Sequence, residues 1–247
     1  VDHKIFSFTS DGASVMQGNI SGVATRITKV NPYIYSTHCI AHRLSLACES
    51  AEKQVEFCIY AKSMLKKIHV FFSNSSKRIQ ILSTYQETLN NPQLKILKIF
   101  DVRWLSLYEA VNNICFSIEP LLDTLLHTIS ESKNQKTQYS IFDLYSDLCN
   151  WQTLAFFYFL QDILAELAIL SKFFQTRFLY FYDIYPIIQN TITKLEKAYL
   201  DLDNNCFELS TNLNKFFIST PPKTNTKIGS HTLTWTLNQE NDLMVDI

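Results

Sequence analysis

Residues 154–175 read LAFFYFLQDILAELAILSKFFQ, and this stretch decides the class of fold. Leu154, Phe157, Leu160, Leu164, Leu167 and Leu170 recur every three or four positions, the stripe of a helix packed in a bundle. Gln161, Asp162 and Glu166 interrupt it, so the longest unbroken apolar run is Leu154 to Leu160, too short to span a membrane. The spacing predicts one long helix from about Tyr139 to Phe174.

Working outward, helical periodicity fills most of the chain. Leu44, Ala47 and Cys48 share a face of a helix beginning at Ile40, and Val55, Ile59, Met64, Leu65, Ile68 and Phe72 continue the pattern. Ser73-Asn74-Ser75-Ser76 ends that run and caps the next helix, Lys77 to Leu89. Further helices are predicted over Trp104 to Ile114, Pro120 to Ser130, from Asp183 and Pro186 to near Leu200, and over Phe207 to Ile218. Past Ser219 the sequence TPPKTNTK is loop-like, and the tail to Ile247 is expected to be poorly ordered.

Composition agrees. With Gly 4 and Pro 6 in 247 residues, 47% hydrophobic and 13% aromatic, the chain has too little turn punctuation for a β-sandwich. It is too apolar for a disordered chain. The cysteines, at 39, 48, 58, 115, 149 and 206, are widely spaced and follow no apparent leader, so a reducing setting is expected rather than a disulfide framework. The chain opens on Val, and its first methionine, Met16, falls within a predicted helix; a fragment lacking its true N-terminus is expected. No repeat of fixed period is apparent. Up to Arg103 there are 13 Lys and Arg against 7 Asp and Glu, and from Trp104 onward 9 against 16. Only the first half invites a polyanion.

That half also departs from the helical pattern. Lys4 to Thr9 (KIFSFT) reads as a buried strand stopping at Ser10-Asp11-Gly12. A helix fits Ala13 to Val30, weakened by Gly18 and Gly22; Asn31-Pro32 breaks it, and Tyr33 to Thr37 reads as a second strand. If the two strands are parallel neighbours, the helix between them is a right-handed crossover, and chemistry belongs at the strand ends.

Three constellations there and beyond are candidates for chemistry. Asp11, at a strand end, is placed to hold a divalent metal in phosphoryl transfer, but one carboxylate is not a site, and the simpler reading is a helix N-cap. In His38-Cys39-Ile40-Ala41-His42, the spacings of three and four put two of the three at one metal. A zinc site would still need Cys48 or Cys58 to turn towards it, so a structural role for Cys39 and His42 is favoured. Arg103 and Trp104, in DVRWLS, would contact a phosphate and stack on a base, against the alternative of a buried Trp opening a helix. Lys62, Lys66 and Lys67, with Lys77 and Arg78, form a basic face usable on a nucleic-acid backbone or simply solvated.

Read together, SDGASVMQG at 10–18, HCIAHRLSLA at 38–47, FFSNSSKR at 71–78, DVRWLS at 101–106 and the stretch at 154–175 resemble the transposase region of the hAT superfamily, in particular its host-gene branch of zinc-finger and BED-type proteins. The resemblance spans roughly residues 5 to 200. It implies a mixed α/β, helix-dominated chain: a partial RNase H-like catalytic half over 1–52, a helical insertion over 53–218 and a tail over 219–247. It implies that Asp11 matches the second acid of a DDE triad and that Cys39 and His42 match its CxxH motif. Arg103 and Trp104 are similar to an RW motif near flipped bases.

The first acid would lie upstream of Val1 and the third beyond this chain, since neither Glu208 nor Glu240 has a motif around it. The expectation is therefore a nuclear nucleic-acid- or chromatin-associated protein that is not an enzyme as it stands. No cofactor is expected, Mg²⁺ belonging only to an intact family member, and DNA or protein partners are expected rather than a membrane or a small-molecule substrate. The alternatives are an interaction scaffold linked to protein modification and a piece of an active transposase.

Overall fold

The computed structural model describes residues 5–99, 104–177, 179–200, 212–223 and 225–235. Among them, eleven helices and four short strands make a helix-dominated fold. Strand β1 (Ser7–Ser10) pairs in parallel with β2 (Tyr35–His38), Ser7 facing Tyr35 and Ser10 facing His38. Between them lie α1 (Ser14–Gln17) and α2 (Val23–Val30). The single helix expected over 13–30 is thus two. Gly18 and Gly22 have extended ψ angles of 134° and 156°, and a Cβ on Gly18 would lie 2.3 Å from the Ser14 carbonyl oxygen. The second strand runs two residues later than expected at its start, because Asn31 folds back and its Oδ1 accepts the Tyr33 N–H. Burial here is thin: in 5–51 only Gly22, Ala24, Asn31 and Ile34 are buried.

The helical body holds the core. Helices α3 (Ile40–Glu52), α4 (Glu56–Ser73) and α5 (Ser76–Thr88) follow β2, then α6 (Trp104–Phe116), α7 (Ile118–Glu131), α8 (Gln135–Leu148), α9 (Trp151–Phe173), α10 (Phe181–Tyr199) and α11 (Asn212–Ser219). The Ser75 hydroxyl caps α5 by accepting the Arg78 N–H, within the serine cluster that marked this boundary in the sequence. Met64 and Ile68 of α4, Val111 of α6, Leu121, Leu122 and Leu125 of α7, and Leu154, Phe157 and Leu164 of α9 form one buried cluster. Helix α9 is long and apolar enough, by length and composition, to cross a membrane. In this fold it lies against α4, α6, α8, α10 and α11.

Two expectations fail here. The helix expected over 139–174 is broken at Cys149-Asn150. Asn150 is extended (ψ 125°) and its side chain accepts the Thr153 N–H at 3.0 Å, a cap that starts α9 afresh. The tail is also ordered further than expected. Strands β3 (Lys227–Ile228) and β4 (His231–Thr232) form a hairpin around Gly229-Ser230. Gly229 has a φ of +53°, and a Cβ there would collide with the Glu119 carboxylate. The strand end then docks into the α8–α9 break: the Thr234 N–H donates to the Cys149 carbonyl at 2.8 Å, and the Trp151 N–H donates to the Thr234 carbonyl at 3.0 Å. Residues 225–235 are thus a strap closing the core, and Trp235 sits edge-on to the buried Trp151.

Candidate functional site

The β1–α1–α2–β2–α3 order brings the first candidate residues to one end of the two strands. The Cys39 N–H donates to the Ser10 carbonyl at 2.7 Å, which extends the ladder one step and sets Cys39 across from the residue before Asp11. Asp11 is exposed, and its Oδ1 accepts the Ala13 N–H at 3.2 Å. That is a turn bond and not the expected helix cap, since Ala13, two residues on, occupies the N-cap of α1 without a side-chain bond.

Cys39 occupies the N-cap of α3, again without a side-chain cap bond, and His42 lies one turn on. The spacing of four brings the rings of His38 and His42 to 5.2 Å. The His38 ring lies against Gly12, where a Cβ would approach its Cε1 to 2.7 Å, so a larger residue there would displace the ring. Sequence reading missed Gln17, which holds the strand ends together. Its Nε2 donates to Ser10 Oγ at 2.7 Å and to the Thr37 carbonyl at 3.2 Å. No periodicity flags such a residue, because its partners come from both strands. Among the described residues no three of His, Cys, Asp and Glu are grouped to hold a metal.

Cys48 and Cys58, the two thiols that a zinc site would recruit, lie instead within reach of the Glu52 charge. Burial, and after it Glu52, pushes the Cys48 thiol up to about 11. Burial also raises Cys58, Glu52 adding to the effect and Lys62 opposing it.

The basic face is largely engaged within the fold. Lys62 is half-buried and bonds Glu52, which is itself buried. Lys77 pairs with Glu131 at 2.8 Å. Arg78 donates to the Phe71 carbonyl at 2.8 Å while its guanidinium lies 4.2 Å above the Phe71 ring. Lys66 and Lys67 are exposed, and Lys67 stands 3.8 Å from Asp147. The contiguous polyanion face expected from spacing is therefore divided among contacts within the fold, with Lys66 and Lys67 among its exposed members. Arg103 lies outside the described residues, as do Glu208 and Glu240. Trp104 opens α6, and its side chain is outside them too.

A buried polar cluster lies where no candidate was expected. The His231 imidazole, 2% exposed, sits between Asp123 Oδ1 at 3.0 Å from Nε2 and the Tyr145 hydroxyl at 3.1 Å from Nδ1. One tautomer satisfies both bonds, Nε2–H donating to the carboxylate and Nδ1 accepting from the hydroxyl. Burial first, and then its bond to Cys149, pushes the Tyr145 phenol well above its usual range. With His231 fully enclosed, this cluster fastens the strap to α7 and α8. Its sequence signal was the Gly229-Ser230 pair between Ile228 and His231, a two-residue hairpin loop.

No family model and no solved structure matches the chain.

Proposed function

We propose that this chain is a catalytically incomplete, hAT transposase-like protein of the nucleus that associates with nucleic acid or chromatin. The observation supporting this most is the placement of Asp11 and of Cys39-x-x-His42 at the carboxyl ends of two adjacent parallel strands joined by a helical crossover and followed by a helical body. That is the order in which the resembling sequence blocks occur. Of the three acids the resemblance implies, only Asp11 has a match in these residues, and two-metal chemistry needs several carboxylates holding ions about 3.5–4 Å apart.

The test has two arms. Fluorescence anisotropy on a short duplex should give weak, sequence-indifferent binding that falls steeply with salt, and Lys66→Glu with Lys67→Glu should remove most of it. Lys62 is left intact, since reversing it would oppose Glu52 inside the fold. Supercoiled plasmid with Mg²⁺ or Mn²⁺ should stay intact, with Asp11→Asn indistinguishable from the parent. Binding unaffected by salt and by the double reversal would reject the DNA arm, and nicking lost in Asp11→Asn would reject the incomplete-site arm.

A second reading, an interaction scaffold, is favoured by a different observation. Tyr180, Phe181, Tyr182 and Tyr185, around the start of α10, are all exposed, Phe181 at 89%. Aromatic surface of this density is typical of protein contacts.

A further inference from the structure

Three elements far apart in sequence converge on a cleft of about 470 Å³: the first turns of α4, the α8–α9 break, and Thr234 of the strap. The volume falls in the range of small-ligand and side-chain sites. Glu56 and Asp147 stand in its wall, and among the described residues no lysine or arginine lines it. The rings of Phe57 and Tyr60 meet edge-on at 6.4 Å, and Phe57 is braced from behind by Phe156 at 5.2 Å while staying 48% exposed. The wall is therefore negative and aromatic.

We propose that this cleft binds the guanidinium or ammonium side chains of a basic peptide. A cation entering it meets two aromatic rings and two carboxylates in one wall, Asp147 also being bonded by the Tyr60 hydroxyl, a combination of groups that attracts arginine and lysine. Among the described lining residues an anion finds no counter-charge. At the start of α9 the Trp151 N–H goes to Thr234 and the Thr153 N–H to the Asn150 side chain, so these two donors are not offered to an anion. Lys67 competes from outside the lining, its Nζ 3.8 Å from Asp147 Oδ2, beyond hydrogen-bonding distance and readily displaced. The proposal stands on this cleft alone and is independent of any binding to DNA.

The test is a titration of the 247-residue chain with acetyl-Arg-Arg-amide, followed by amide shifts in ¹H–¹⁵N spectra, with acetyl-Gln-Gln-amide as the uncharged comparison. Saturable shifts confined to 56–60 and 146–153, weakening with salt and absent for the glutamine peptide, are expected. Glu56→Gln and Phe57→Ala should each weaken binding roughly two- to fivefold, the worth of one partly exposed ion pair or cation–π contact. Lys172→Ala, elsewhere on the surface, should change nothing. Glu56 is exposed and glutamine matches its shape, so this variant keeps the fold, and thermal melts verify it. Absent saturation, equal response to both peptides, or parent-like binding by Glu56→Gln and Phe57→Ala would each overturn the proposal.

Discussion

Replacing Asp162 by asparagine should loosen the helix that its carboxylate starts. Asp162 lies in the middle of α9, is nearly buried, and faces the beginning of α11. Its Oδ1 accepts the Asn212 side-chain N–H at 2.7 Å and the Asn212 backbone N–H at 3.1 Å, and its Oδ2 accepts the Leu213 N–H at 3.0 Å. Those backbone donors are among the orphans of a helix start, and a negative charge there also meets the positive end of the helix dipole. Asparagine keeps the shape but offers one acceptor oxygen, and turns an NH₂ towards a donor. Bonds to a charged group contribute about 1.5–3 kcal/mol, so a loss of about 2 kcal/mol is expected. For a chain of this size that lowers Tm by roughly 4–8 °C.

The readout can be made local. Phe216 of α11 stacks against Trp151, whose indole N–H donates to the Thr220 carbonyl just past the helix. Fraying of α11 would admit water to Trp151, so a red shift in tryptophan emission should accompany the early part of the melt. Amide exchange should speed up over 212–219 before it does in α6 or α7. An Asp162→Asn chain melting within about 1 °C of the parent, against the roughly 4–8 °C expected, would show that the carboxylate does not hold α11.

Other outcomes follow from the same contacts. His231→Ala removes the partner of both Asp123 and Tyr145, at about 1–3 kcal/mol; limited proteolysis should then cut within 221–235, and an unchanged digest would count against the strap. Gly229→Ala should show the same pattern, since its Cβ meets the Glu119 carboxylate and its φ is +53°. For Cys48, whose thiol is pushed up to about 11, the folded chain keeps a proton that the unfolded chain releases at lower pH. Stability therefore falls as pH rises from the ordinary thiol range towards 11. Glu52→Gln should lower that pKa and hasten alkylation of Cys48 at pH 9, read by peptide mass spectrometry. Tag-free protein should carry well under one zinc per chain by elemental analysis; stoichiometric zinc lost in Cys39→Ser would reverse the structural assignment of the Cys39–His42 segment.

The elements legible in the sequence are those whose causes are local. The α9 stripe, the serine cap of α5, and the strand–helix–strand start can be read from residues within a turn or two of one another. Asp162 looked like an interruption of an apolar run, because its partners lie fifty residues away at Asn212 and Leu213. The α8–α9 break follows the same logic. Asn150 is a good cap by type, but what favours a break there is Thr234, which bonds the groups on either side of Asn150. At the candidate site, the approach of the His38 and His42 rings follows from a local spacing of four, while Gln17 and the pairing of Lys62 with Glu52 depended on tertiary neighbours. Charge counting by itself reads every lysine as available; burial decides which ones are.

The strap sets an order of events for the newly made chain. Asp123 waits for His231, which is 108 residues downstream. At a synthesis rate of about 5–20 residues per second, roughly 5–20 s separate the two. Through that interval α7, α8 and the start of α9 have emerged with Trp151 uncovered and the Cys149 carbonyl without its strap partner. Any truncated product ending before residue 225 would stay in this unfinished state, its most aromatic seam open. Closure of the helical body thus waits on residues 225–235, and copies interrupted before the strap differ physically from those that carry it.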